Sequence, residues 1–100
     1  MNKDKLMTGT PRPAAFFTDF DGTIKPASED WVAPADLQAL RDMKAAGWTR
    51  VVATGRSLFG FVKAWRPGLE LDWLSFSSGA GLCSWSPSGP GPRLTGRLFS

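Results

Sequence analysis

Three short apolar runs divide the chain and predict three β-strands. Each run is rich in aromatic or β-branched residues, is too short for a helix, and has Gly, Pro or Ser within a few residues of its ends. The runs cover residues 14–20, 49–53 and 71–77. We expect them to form the sheet around which the domain folds.

The segments between these runs have helical character. Leu37, Leu40 and Met43 recur every three residues and form an apolar stripe, which predicts a helix over residues 34–46. A second helix is predicted over residues 58–65. Because strands and helices then alternate, we expect an α/β fold, a Rossmannoid parallel sheet built from three successive strands with right-handed crossovers.

The C-terminal part of the chain leaves two alternatives open. Residues 82–86 and 94–98 could be the arms of a β-hairpin, or the Pro- and Gly-rich residues 87–92 could belong to a flexible linker. The predicted organisation is a flexible N-terminal arm at residues 1–13, a core at residues 14–82, and a hairpin or linker at residues 83–100.

Two carboxylates end the first predicted strand. Asp19 and Asp21 are two residues apart, so their side chains point the same way from an extended segment. Gly22 lets the backbone turn directly after them. Since two like charges this close repel, the site needs a cation or a proton, and Mg²⁺ is a hard ion that prefers carboxylate oxygens. The alternative is an ordinary turn, because Asp-Gly is also a strong hairpin signal.

The other two strands end in small polar residues. Thr54 and Gly55 follow the second strand, and Ser78 follows the third. Parallel strands end at the same sheet edge, where open α/β folds bind ligands, so these residues should converge with the aspartates. A hydroxyl beside an unobstructed N–H suits a phosphoryl group, although any strand–helix junction also needs an N-cap and a turn glycine. The polar residues 22–32 predict a loop over the carboxylates.

Composition narrows the chemistry that the chain can carry out. Its 100 residues are 42% hydrophobic, which allows one small domain with a core. It has no His, so acid–base chemistry falls chiefly to carboxylates, and its single Cys excludes an intrachain disulfide.

Lys and Arg are scattered and the net charge is only +3, so nucleic-acid binding is not indicated. No segment has the length of a membrane span or the form of a signal peptide, so the expected location is the cytoplasm.

The first strand end resembles a known family motif. Asp19-Phe20-Asp21-Gly22-Thr23 is similar to DxDGT, the first motif of the haloacid dehalogenase (HAD) superfamily, which follows a strand. The resemblance implies a HAD-like fold around these carboxylates.

Two further segments resemble later motifs of the same superfamily. Ala53-Thr54-Gly55-Arg56 resembles the second motif in the form found in the Cof-like branch. Members of that branch act mostly on phosphorylated sugars and small metabolites. Residues 76–80 resemble the third strand end of this branch, except that Ser78 stands where Asn is usual.

The resemblance implies a Mg²⁺-dependent phosphatase that works through an aspartyl-phosphate. Asp19 would be the nucleophile and Asp21 the general acid and base, and the Asp19 carboxylate and the Asp21 carbonyl would hold the metal ion. The implied substrate- and phosphate-binding residues are Thr54, Gly55, Gly22, Thr23 and Arg56. The partner would be a phosphorylated small molecule.

The resemblance covers about residues 14–82 and lacks two later motifs, a Lys and an acidic pair. No Lys follows Lys63, and no acidic residue follows Asp72. The sequence therefore resembles the N-terminal portion of such an enzyme. The alternative function is an inactive fragment, or a phosphate- and Mg²⁺-binding module that needs a complementary chain. In this interpretation the first strand is an exposed sheet edge, through which copies could self-associate.

Overall fold

The computed structural model describes residues 14–93, which form a five-stranded sheet with two α-helices. The strands are β1 (Ala14–Asp19), β2 (Trp48–Ala53), β3 (Trp73–Phe76), β4 (Gly81–Ser86) and β5 (Gly89–Arg93). The helices are α1 (Pro34–Ala45) and α2 (Leu58–Ala64), and a 3₁₀ turn spans Ser77–Gly79. The predicted α/β class and the alternation of three strands with two helices are confirmed. The predicted N-terminal arm lies outside the described residues.

The strands of the sheet lie side by side in chain order. β1, β2 and β3 are parallel, with Thr18 opposite Val52 and Val52 opposite Leu74, whereas β4 and β5 run antiparallel to their neighbours. Parallel neighbours require crossover connections, and α1 and α2 provide them. The carboxyl ends of the first three strands therefore lie at the same edge of the sheet.

Local sequence accounts for both helices. α1 begins at Pro34, where a missing N–H has no cost, and Leu40 of its apolar stripe is buried. α2 begins after Ser57, whose hydroxyl oxygen accepts a 3.0 Å hydrogen bond from the Gly60 N–H, and it buries Phe61. Of the helices in the described residues, neither is long and apolar enough to cross a membrane.

A β-hairpin is present at the C-terminal side, but its arms differ from the prediction. Only residues 87–88 form the turn, and the Pro- and Gly-rich segment predicted as the turn at residues 87–92 instead supplies most of β5. Pro90 and Pro92 fit there because β5 is an edge strand of the described sheet, the position where a residue without an N–H is tolerated. The arm predicted at residues 94–98 lies outside the described residues.

The loop at residues 22–32 does not lie over the carboxylates as predicted. It folds back onto the end of β1, where the Lys25 N–H donates to the Phe20 carbonyl at 3.0 Å. Further along, the ring of Trp31 meets the ring of Phe20 edge to face, with centroids 5.8 Å apart. The loop residues are absent from the lining of the cleft that contains the two aspartates. Backbone hydrogen bonds to the end of β1 and apolar packing on Phe20 therefore hold the loop in this path.

The core lies on one face of the sheet. Val52, Leu74 and Cys83 are in register across three strands, and all three side chains are buried completely. Leu40 of α1 and Phe61 of α2 pack into the same cluster. Both helices therefore cover this face.

The opposite face is open in the described part of the chain. Phe17, Val51 and Trp73 are in register across the three parallel strands, and none belongs to the core cluster. The side chain of Phe17 is 71% exposed. We call this row the bare face. Its exposure is unusual because parallel sheets are normally covered on both sides.

A buried ion pair fixes the end of the sheet opposite the aspartates. Arg50 is only 3% exposed, and its Nε and Nη2 donate to the two carboxylate oxygens of Asp72 at 3.0 and 3.1 Å. Its Nη1 donates to the Leu40 carbonyl at 3.0 Å, which ties α1 to β2. Burial acts to raise the pKa of Asp72, but hydrogen bonds from Arg50 and the charges of Arg50 and Lys44 outweigh it and lower that pKa.

We expect the change Asp72→Ala to lower the free energy of unfolding by about 3 kcal/mol, because it leaves the buried Arg50 charge without its main partner. Urea denaturation at neutral pH measures this. Asp42→Ala is the control, since Asp42 is exposed on α1 and its loss should change stability by less than about 0.5 kcal/mol. Equal effects of the two substitutions would contradict the assigned role.

The same pair predicts a dependence of stability on pH. The pKa of Asp72 is lowered on folding, so its contribution is complete above the ordinary carboxyl value of about 3.9 and is lost as the pH falls through the lower folded value. The stability difference between the parent chain and Asp72→Ala should therefore narrow only in that acid range.

Candidate active site

The carboxyl ends of β1, β2 and β3 surround an open cleft of about 400 Å³. Backbone hydrogen bonds hold these ends together: the Phe20 N–H donates to the Ala53 carbonyl and the Thr54 N–H to the Ser75 carbonyl, both at 2.9 Å. The lining residues are Asp19, Asp21, Ala53, Thr54, Gly55, Ser75, Ser78 and Gly79. Both aspartates, Thr54, Gly55 and Ser78 are thus brought together from three separate strand ends.

The two aspartates of the cleft have different surroundings. Among the described side chains, those of residues 14–92, none forms a hydrogen bond or an ion pair with the exposed carboxylate of Asp19. The carboxylate of Asp21, in contrast, accepts from Arg56 Nη2 at 2.8 Å, from Arg56 Nε at 3.0 Å and from the Thr54 hydroxyl at 2.9 Å. One carboxylate is therefore free to react while the other is held in place.

Arg56 also lowers the pKa of Asp21. Its hydrogen bonds are the largest influence and lower the pKa of Asp21; partial burial opposes them, and the Thr54 hydrogen bond and the charges of Arg56 and Lys25 lower that pKa further. Asp21 is therefore ionised at neutral pH in this arrangement. Both partners are about two-fifths exposed, so solvent screens the pair and it positions Asp21 more than it stabilises the fold.

Thr54 connects the three strand ends and is only 5% exposed. Besides donating to Asp21, its hydroxyl oxygen accepts from the Arg56 N–H at 3.1 Å, and its carbonyl accepts from the Ser78 N–H at 3.2 Å. The hydroxyl proton is already used by Asp21. A ligand oxygen in the cleft would have to compete with that carboxylate for it.

The third strand end has an unusual backbone. Ser77 and Ser78 have φ angles of 52° and 53°, in the left-handed region, and Gly79 follows with φ 95°. Asn adopts this region more readily than Ser does. The Ser78 that departs from the family pattern therefore occupies a position whose backbone favours the usual Asn, at a small conformational cost.

Three predicted residues lie outside the cleft lining. Gly22, with φ 80°, and Thr23 form the turn after β1, where the Thr23 N–H donates to the Phe20 carbonyl at 3.3 Å. Arg56 reaches Asp21 but lines a neighbouring cleft instead. These residues shape or hold the site rather than form its wall.

Sequence reasoning missed three lining residues, Ala53, Ser75 and Gly79. Ser75 enters the cleft because β3 pairs with β2 so that Ser75 lies opposite Ala53. The strand pattern alone does not reveal this register. Gly79 lies one residue beyond Ser78, and only the left-handed backbone of the turn indicates that it reaches the cleft.

The donor groups of the cleft fit Mg²⁺ in part. No cluster of three metal-ligating side chains is found in residues 14–93. Mg²⁺ is often held by one or two carboxylates together with waters and substrate phosphate, and Asp19 and Asp21 supply that number. Since the Asp21 oxygens are engaged by Arg56, the Asp19 carboxylate is the more available ligand.

We expect Thr54→Val to lower the free energy of unfolding by about 1–3 kcal/mol, because the part-buried Arg56 N–H loses its acceptor and the Asp21 carboxylate loses one of its donors. Thr54→Ser keeps the hydroxyl and loses one methyl group, so it should cost about 0.8 kcal/mol. Urea denaturation gives both values, and amide hydrogen exchange at Arg56 should accelerate only in the Val variant. Identical exchange and stability in the two variants would show that the hydroxyl network is unimportant.

Comparison with known proteins identifies the family. The sequence model of the haloacid dehalogenase-like hydrolases matches residues 16–80. A solved structure of a hypothetical protein from Geobacillus kaustophilus HTA426 is 27% identical, with a TM-score of 0.61 over 71% of this chain and 27% of that one. A search of curated proteins found no significant match.

A second solved structure is similar in fold. It comes from a study of phosphatases of the haloalkanoate (HAD) enzyme superfamily and is a Bacteroides thetaiotaomicron protein, with a TM-score of 0.65 and 22% identity over 82% of this chain. The match covers 29% of that protein, so the chain spans less than a third of either solved structure. The family model matches 65 of the 100 residues, including the strand ends that carry the motifs. The chain therefore belongs to the haloacid dehalogenase-like hydrolase family.

Proposed function

We propose that this chain carries the nucleophile side of a Mg²⁺-dependent phosphatase site that works through an aspartyl-phosphate. The observation that carries the proposal is the contrast between the two aspartates: Asp19 is unpaired in the cleft, and Asp21 is held by Arg56 and Thr54. Membership of a hydrolase family and likeness in fold to a phosphatase support this class of reaction.

The proposed reaction has two steps. An oxygen of Asp19 attacks the phosphorus, the bond from phosphorus to the leaving alcohol oxygen breaks, and Asp21 gives that oxygen a proton. A water molecule then attacks the same phosphorus, Asp21 takes a proton from it, and the bond to Asp19 breaks to release inorganic phosphate.

Arg56 must change its contacts during this cycle. It holds Asp21 ionised in the free chain, which suits the base of the second step but not the acid of the first. An incoming phosphate dianion would share the guanidinium, and loss of that hydrogen bond allows the pKa of Asp21 to rise. We infer that substrate binding itself prepares Asp21 as the acid.

The remaining cleft residues would hold the phosphoryl group. Gly55 lines the cleft next to Thr54, and its backbone N–H would be a donor that binds and stabilises a phosphoryl oxygen. When bound, Mg²⁺ would be held by the Asp19 carboxylate and the Asp21 backbone carbonyl and would neutralise part of the phosphoryl charge.

The proposed substrate is a phosphorylated sugar or a similar small metabolite. The sequence from Ala53 to Arg56, which is typical of the Cof-like branch, supports this substrate class. The cleft volume of about 400 Å³ also supports it, because it is in the usual range for small-molecule sites. Nucleic acids and membranes are not proposed as partners, and the cytoplasm is the proposed compartment.

We expect the change Asp19→Asn to reduce Mg²⁺-dependent phosphate release from sugar phosphates by at least about 10³-fold, because the amide cannot act as the nucleophile. Phosphate release from a panel of sugar monophosphates measures this. Asp42→Asn makes the same substitution on an exposed surface of α1 and should leave the rate unchanged. Retained turnover in Asp19→Asn would exclude Asp19 as the nucleophile.

The structure also favours a second candidate, an incomplete site that requires a complementary chain. The bare face leaves Phe17 71% exposed, and β1 is an edge strand of the described sheet. An exposed apolar edge pairs readily with another strand. In this case the folded chain alone would release no phosphate, and copies would self-associate through β1.

We expect Phe17→Lys to abolish self-association, because it places a charge on the bare face at the edge of the sheet. Sedimentation velocity over a range of concentrations measures this. Phe59→Lys is the matched control, since Phe59 is also 71% exposed but lies on α2. A parent chain that stays monomeric, or equal behaviour of the two variants, would argue against association through β1.

A further inference from the structure

A second cleft of about 380 Å³ lies between the loop that follows β1 and helix α2. Its lining carries one carboxylate, that of Asp30, against four cationic side chains: Lys25, Arg56, Lys63 and Arg66. We call it the basic cleft. These cations are scattered along the sequence, and the fold gathers them on one surface.

Two of the four cations have no carboxylate partner in the described part of the chain. Neither Lys25 nor Lys63 forms an ion pair within residues 14–93. The ammonium of Lys63 lies 5.2 Å from the centre of the Phe59 ring, a cation–π contact at an exposed site that a stronger partner can replace. Both ammonium groups are therefore available to an anion.

The other two cations are already positioned. The Arg66 guanidinium lies 4.7 Å above the Trp31 ring and donates to Asp30 at 3.1 Å. Since the side chain of Asp30 is 91% exposed, this pair is weak and readily exchanged for a ligand anion. Even when Asp21 is counted with Asp30, the four cations exceed the carboxylates by two.

Arg56 connects the basic cleft to the candidate active site. Its Nε and Nη2 bind Asp21, while its Cζ lies 5.7 Å from the centre of the Phe20 ring, which lines the basic cleft. Trp31 and Trp65 add aromatic surface to the same lining. Aromatic rings beside several converging charges suit an anionic group carried on a carbon skeleton.

We propose that the basic cleft binds a second anionic group, a phosphate or a carboxylate, of the substrate whose reacting phosphoryl group lies at Asp19. This rests on the proposed phosphatase function, and it narrows the substrate to sugar bisphosphates or phosphorylated sugar acids. The second group would pair with Lys25, Lys63 and Arg66, and Arg56 would lie between the two anions.

The test is a binding experiment on the full chain in the Asp19→Asn background with Mg²⁺, so that no probe is consumed. The probes are fructose 6-phosphate, fructose 1,6-bisphosphate and 6-phosphogluconate, titrated while the indole N–H and backbone amide signals are followed by NMR. Lys25→Gln/Lys63→Gln removes the two unpaired charges. Lys44→Gln is the control, because Lys44 is 63% exposed beside Asp72, outside both clefts.

We expect at least one doubly anionic probe to bind about tenfold more tightly than fructose 6-phosphate, the effect of one good charge-assisted contact. The preference should fall to within about twofold in Lys25→Gln/Lys63→Gln and persist in Lys44→Gln. If only fructose 1,6-bisphosphate is preferred, the second group is a phosphate. If only 6-phosphogluconate is preferred, the second group is a carboxylate.

Equal affinities for all three probes, no binding of any, or a preference that survives the double substitution would overturn the proposal. Phosphate release by the parent chain is measured separately. The chain could prefer doubly anionic probes and yet release no phosphate. That result would support the proposed binding site and would contradict only the proposed phosphatase activity.

Discussion

The candidate site depends on the hydrogen bonds of Thr54. Its N–H binds β3 through Ser75, its carbonyl accepts from Ser78, and its hydroxyl lies between the Asp21 carboxylate and the Arg56 N–H. Because this residue is almost completely buried, each of these groups would lack water if its partner were lost. One side chain thus couples the pairing of the parallel strands to the position of the carboxylate that would move protons.

This coupling gives two chemically identical residues, Asp19 and Asp21, different hydrogen-bond partners. Asp19 and Asp21 both line the cleft at the end of β1, yet only Asp21 accepts hydrogen bonds from Thr54 and Arg56. Nucleophilic attack needs an ionised, unpaired carboxylate, whereas proton transfer needs one whose pKa can change. In the proposed cycle Arg56 would supply that change, because its bond to Asp21 lies beside the basic cleft and would be exchanged for a bond to a ligand anion.

The sequence predicts the parts of the site that follow from strand order alone. Parallel strands end at one edge, so Asp19, Thr54 and Ser78 had to converge. The partner of Arg56 and the gathering of Lys25 with other distant cations depend on how loops pack, which no local pattern encodes. The hairpin was misplaced for a related reason: Pro and Gly signal turns locally, but an edge strand tolerates them, and edge position is a property of the sheet.

The bare face and the candidate site are linked by the geometry of β1. Side chains two residues apart on a strand share a face, so Asp19 projects from the same side of the sheet as Phe17. Helices α1 and α2 both cover the other side, where they cannot reach Asp19 directly. Any polypeptide that buries Phe17 therefore also brings its own side chains next to Asp19, the proposed nucleophile. Covering the apolar surface and supplying charge to the phosphoryl site would then be a single event, so association and activity should change together in this protein.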